Sequence, residues 1–107
     1  MKAEVLKGHL DLLLLAAVQD RPAHGYAIAD TLRARSDGHF DLPEGTLYPA
    51  LHRLERAGLL ASRWSEASGR RRRVYHLTSK GQRALARQQG EWRDFSRAMH
   101  AVVGGTA

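Results

Sequence analysis

The chain has 107 residues, 43% hydrophobic and 26% charged, which is enough for one soluble core and too few for two independent ones. Its 17 Lys and Arg outweigh 11 Asp and Glu, and the net charge of +6 fits either an anionic partner, nucleic acid ahead of a membrane surface, or a merely soluble basic protein. There is no cysteine, so disulfides, thiolate catalysis and cysteine metal sites are excluded; the longest apolar run, Leu12 to Val18, is far short of a membrane span.

The positive excess is uneven. Residues 1–40 carry five charges of each sign, residues 41–78 carry seven positive and four negative, and residues 79–107 carry five positive and two negative. The densest point is Arg70-Arg71-Arg72-Arg73. The start, Met1-Lys2-Ala3-Glu4, lacks the apolar stretch and cleavage site of a secretion signal, and a cytoplasmic location is expected.

In chain order, Lys7 to Gln19 reads as a first helix. Leu10, Leu13, Leu14, Ala17 and Val18 recur as one stripe, and Asp20-Arg21-Pro22 ends it. Leu12 and Leu15 widen the apolar surface, either by deeper burial or as a second contact face. His24-Gly25-Tyr26 opens a second helix running to about Arg35, with Ile28, Ala29 and Leu32 on one side. Ser36-Asp37-Gly38-His39 is turn chemistry.

The third helix follows Leu42-Pro43. Glu44 suits the positive end of the helix dipole, Leu47, Leu51 and Leu54 form the buried stripe, and Gly58 supplies a left-handed C-terminal cap with Leu59 folding back. Its front, with Tyr48, His52, Arg53, Glu55 and Arg56, is polar, aromatic and basic. Two strands follow, Leu60–Ser65 and Arg70–Leu77, joined by a turn at Glu66-Ala67-Ser68-Gly69; Trp64, Val74 and Tyr75 suit a hairpin.

The last helix begins near Ser79, capped by Ser79 with Gln82 or by Thr78 one residue earlier, and runs to about Val103, where Gly104-Gly105 stops it. Gly90 is a weak point within it. Leu85, Gln88, Trp92, Phe95, Met99 and Val102 recur at alternating spacings of three and four, a heptad seam with one polar member. A helix of roughly 37 Å, at ~1.5 Å per residue, outruns the core of so small a chain, and a second copy is the simplest cover.

The expected fold is mainly α with a small β-hairpin, a winged helix-turn-helix followed by a long C-terminal dimerisation helix. Residues 1–78 make the DNA-binding part and residues 79–107 the dimerisation helix, in one compact unit. In such a domain the third helix enters the major groove of double-stranded DNA and the basic wing lies along the backbone or minor groove.

Several stretches resemble the PadR family of bacterial transcriptional regulators. They are Gly25-Tyr26, the segment from Glu44 to Glu55 with its Gly45-Thr46-Leu47-Tyr48-Pro49-Ala50-Leu51 core, Ala57-Gly58-Leu59-Leu60, and Tyr75-His76-Leu77-Thr78 followed by Gly81. The likeness spans about residues 6–103 and fits the compact branch with a single helix after the wing. It implies a homodimer, usually a repressor, on operators of approximate dyad symmetry, with no cofactor. In some members of that family an aromatic on this helix lines a pocket between subunits for a flat hydrophobic effector, so Trp92, with Phe95 and Met99, either packs the dimer seam or lines such a pocket.

The candidate DNA contacts are Thr46, Tyr48, Pro49, His52 and Arg53 on the third helix, Arg70, Arg71, Arg72 and Arg73 on the wing, and His24 and Tyr26 at the start of helix two. Tyr48 either meets DNA or packs half-buried on helix one; Tyr26 either joins a phosphate site or the core. Pro49, near the helix start, removes little from the ladder and gives shape. No acidic residue stands three or four positions from Arg53, which favours its reaching DNA. The histidines, at 9, 24, 39, 52, 76 and 100, form no metal-binding pair, and no nucleophile or phosphate-loop motif occurs, so an enzyme is not expected. The alternative is an RNA-binding or protein-interaction winged-helix module.

Overall fold

The computed structural model describes Leu6 and residues 8–104. Lys7 and Gly105, expected at the bounds of the first and last helices, lie outside the described residues. The elements in order are α1 (Leu10–Ala17), β1 (Ala23–His24), α2 (Gly25–Arg35), α3 (Glu44–Arg56), β2 (Leu60–Ala67), β3 (Arg70–Leu77) and α4 (Ser79–Val103).

The three N-terminal helices enclose a core in which Leu14, Leu15, Ile28, Leu47, Leu51 and Leu54 are fully buried, closed by Leu60 and Tyr75 from the sheet and Leu85 from α4. No polar or charged side chain is buried among the described residues. Leu15 has gone into this core while Leu12 and Leu13 stay half-buried, so the widened apolar surface of α1 is shared between core and groove.

Helix α3 ends as its glycine requires. Gly58 has φ +79°, and the amide of Leu59 bonds back to the carbonyl of Leu54 at 3.0 Å, a Schellman closure. Pro49 sits in the second turn, deeper than expected. It therefore removes one ladder bond, to the exposed Gly45, and this loss is tolerated because water can reach that carbonyl.

The wing is longer than expected. Ser68 and Gly69 both have positive φ, 54° and 73°, which makes a two-residue loop and leaves Glu66 and Ala67 in the strand. A third strand, β1, pairs antiparallel with β3 through Ala23–Tyr75 and His24–Val74, so β3 is central in the order β1-β3-β2. Two residues carry no periodicity, and β1 is invisible to pattern.

The N-cap of α4 is Thr78, whose Oγ1 accepts from the Gly81 amide at 2.9 Å, and Gly104 ends it at φ +75°. Gly81 is obligatory: a Cβ there would fall on the carbonyl oxygen of Leu59. Leu85 departs from the seam expectation. It lies at the end of α4 that packs on α1 and is sealed in this chain's own core, so it offers nothing to a partner. Every residue from Glu91 to Gly104 is exposed. The radius of gyration, 15.0 Å, exceeds the about 13 Å of a compact domain of this length because this end of α4 projects beyond the core.

Candidate nucleic-acid interface

The buried stripe of α3, Leu47, Ala50, Leu51 and Leu54, fixes the direction of every other side chain on it. At about 100° per residue, the opposite face holds Gly45, Pro49, His52 and Arg56, all exposed. Thr46 and Arg53 flank this face toward α1; Tyr48 and Glu55 flank it toward the wing. Arg56, which motif reasoning left out of the contact set, lies seven residues after Pro49 at the centre of the open face, and that spacing was the available signal.

Arg53 has an acidic partner that lies on another helix. Its guanidinium donates to both carboxylate oxygens of Asp11, Nη1 to Oδ2 at 3.0 Å and Nη2 to Oδ1 at 2.8 Å, and this bonding raises its already high pKa. The partner is on α1, beyond any local spacing rule, and it turns Arg53 toward the groove between α1 and α4.

Tyr48 is half-buried, and its ring packs on the start of α2. A Cβ on Gly25 would lie 2.5 Å from the Tyr48 hydroxyl. Tyr26 is not in the core. It is 58% exposed, and its hydroxyl donates to Oε1 of Glu44 at 2.6 Å, joining the starts of α2 and α3; that bond raises its pKa. His24 stands at the N-cap of α2, its Nδ1 3.3 Å from the Ala27 amide.

The four wing arginines alternate as strand geometry demands. Arg71 and Arg73 share a face with Trp64, their guanidinium carbons 4.4 Å and 5.3 Å from its ring centroid. Arg73 is also held by the Ser62 hydroxyl at 2.8 Å and lies 3.6 Å from Glu55 of α3. Arg72 points to the other face, with Nη1 2.8 Å from Nε2 of His24. A cavity of about 250 Å³ gathers His24, Tyr26 and Tyr48 with the four arginines. Seven of the expected contact residues thus share one basic hollow, while Pro49 and His52 stand on the adjoining open face of α3. Trp64, which stiffens the wing cations, was legible only as a strand former.

On the opposite side, α1 and α4 border an open cleft of about 670 Å³. Trp92 and Phe95 line it, with His9, Asp11, Arg53 and Arg87; Met99 lies farther along α4, outside it. The His9 and Trp92 rings meet edge-on at 5.5 Å.

The profile of the transcriptional regulator PadR-like family matches residues 14–87, which run from α1 through the wing into α4. The chain belongs to the PadR-like family of transcriptional regulators. It is 34% identical over 102 residues to transcriptional regulator Rv3488 of Mycobacterium tuberculosis, covering 95% of this chain and 90% of that one. A PadR family transcription regulator from Clostridium difficile superposes with a TM-score of 0.79 at 35% identity, covering 90% of this chain and 99% of the other. A PadR-like transcriptional regulator from Bacillus cereus gives 0.85 at 26% identity, covering 97% and 100%. The winged helix with its long C-terminal helix is therefore the PadR-like fold. Among the described residues, no helix is long and apolar enough to cross a membrane.

Proposed function

We propose that this PadR-like regulator is a cytoplasmic homodimeric repressor that binds a dyad-symmetric operator in double-stranded DNA. The observation that carries the reading is that Tyr48, which flanks the open face of α3, also lines the arginine hollow of the wing. Gly45, Pro49, His52 and Arg56 would face base edges, with Thr46 and Tyr48 at the flanks. The wing arginines, His24 and Tyr26 would meet phosphates. The bare second half of α4, with Trp92, Phe95, Met99 and Val102 exposed, supports pairing with a second copy, Gln88 bordering the seam.

The cleft beside Trp92 and Phe95 supports release by a flat hydrophobic effector held between copies. Quenching of Trp92 fluorescence by a planar aromatic dye, lost in Trp92→Phe, tests that part.

The DNA reading is tested by footprinting the protein on the promoter of its own gene, followed by gel-shift competition with unrelated duplex and with folded RNA. A discrete protected palindrome that resists both competitors is expected. Equal affinity for any duplex at physiological salt, or preference for RNA, would overturn it.

A further inference from the structure

The ring of His24 faces a donor on each side. Its Nδ1 lies 3.3 Å from the amide of Ala27, and its Nε2 lies 2.8 Å from Nη1 of Arg72. A backbone amide and a guanidinium only donate, and a neutral imidazole has a single in-plane lone pair. One of the two contacts must therefore set N–H against N–H. The shorter contact, to the charged donor, is the stronger claimant, so in the free protein Nε2 accepts from Arg72 and Nδ1 carries the proton, at the expense of the helix cap.

The surroundings do not resolve this conflict. The other groups at the cavity are Tyr26, Tyr48 and further arginines. The carboxylate of Glu44 is taken by the Tyr26 hydroxyl, and that of Asp30, the acid nearest His24 along α2, is paired with Arg33. Arg70 has no ion-pair partner among the described residues and opens onto the same space. The cavity thus holds a surplus of donors and a missing acceptor.

We infer that this cavity is a phosphate site in which one oxyanion is clamped between Arg72 and the Nε2–H of His24, with Arg70 at its mouth. With the anion in place, Arg72 and Nε2–H both donate to it, Nδ1 regains its lone pair, and the Ala27 amide is capped. Occupancy therefore switches the neutral His24 ring from the Nδ1–H to the Nε2–H tautomer. The source of the phosphate, the backbone of the operator, rests on the DNA reading above; the oxyanion chemistry does not.

The test is long-range ¹⁵N NMR of the imidazole nitrogens in the full chain, on the alkaline side of neutrality, with His24→Gln identifying the resonances. Inorganic phosphate is titrated in one arm and operator duplex in another. A shift of His24 to the Nε2–H form is expected in both. In parallel, Arg72→Gln should reduce the salt slope of duplex binding by about 0.9, the share of one phosphate, while Arg35→Gln, paired with Asp20 across the fold, leaves it unchanged. Duplex binding with the His24 tautomer unmoved overturns the site and leaves the DNA reading standing. A phosphate-driven switch without duplex binding keeps the site and overturns the DNA reading. No switch with either ligand overturns the proposal.

Discussion

The ring of Tyr48 rests on the α-carbon of Gly25, so close that any side chain at Gly25 would occupy the space of the phenol. This contact explains why a glycine opens α2 opposite a tyrosine on α3: each is fitted to the other. Gly25→Ala should therefore destabilise by about 1–3 kcal/mol through overpacking. In a Tyr48→Ala background the same change should cost nothing. Urea unfolding of the four proteins measures the difference, and an equal cost in both backgrounds would dissociate the two residues.

Arg53 and Arg56 are one turn apart and equal in charge, yet among the described residues only Arg53 has an ion-pair partner. If the open face of α3 meets DNA, Arg56→Ala should weaken operator binding roughly tenfold and Arg53→Ala by less than about threefold. The Asp11–Arg53 pair is about half exposed on both sides, and its coupling in a double-mutant cycle should stay below about 1 kcal/mol. Fluorescence anisotropy at a fixed salt concentration reads the affinities. The reverse order would place Arg53 on the DNA after all.

The exposed half of α4 makes a mass prediction. Light scattering should return twice the 11.9 kDa of one chain. Trp92, the largest exposed side chain of the seam, should act as an anchor there, and Trp92→Ala should raise the dimer dissociation constant roughly thirtyfold, about 2 kcal/mol. Leu85→Ala, by contrast, should lower the folding stability of each subunit, because Leu85 is sealed within its own chain. Monomers at micromolar concentration, or a Trp92→Ala protein that associates as before, would remove the seam.

Burial, reinforced by Arg72 and opposed by Asp30, lowers the His24 pKa from its ordinary 6.5. The native state thus prefers the neutral ring, while the unfolded chain takes up the proton more readily. The sign follows: His24 supports folding above 6.5, and this support is lost as pH falls from there through the lowered native pKa. His24→Gln lacks this component, so the stability gap between wild type and variant should narrow on acidification. The other histidines are common to both proteins and cancel in the difference. Urea midpoints across this range decide it; a gap that widens toward acid would mean that Arg72 does not face a neutral ring.

The helices and the hairpin were legible because each is a repeated pattern over many residues, and the wing charges alternate simply because strands do. What stayed hidden was set by single tertiary contacts. Asp11 lies 42 residues from Arg53, and no window along one helix contains both. The strand Ala23–His24 exists only because β3 offers it an edge. Leu85 satisfies the heptad rule and yet is buried, since a spacing rule cannot say where the chain's own core stops and a partner begins. Tyr26 and Tyr48, balanced between surface and core in the sequence, were decided by Glu44 and Gly25.

Gly45 poses the opposite case to Gly25. It lies on the open face of α3 with nothing of its own chain near the place a Cβ would take, and its φ is not positive. A glycine inside a helix costs about 0.5–1 kcal/mol relative to alanine, and here no internal packing returns it. Beside it, Pro49 has no amide proton and Gly45 no side chain, so this stretch presents a low, smooth backbone surface to whatever approaches. On the proposed reading, close approach of DNA would account for both residues. Gly45→Ala should therefore raise folding stability by up to about 1 kcal/mol and at the same time weaken operator binding, a trade no purely structural role would produce. Thermal unfolding and anisotropy on the same preparation read the two effects. A variant that is more stable and binds its operator equally well would show that the backbone of α3 keeps its distance from the DNA at this point.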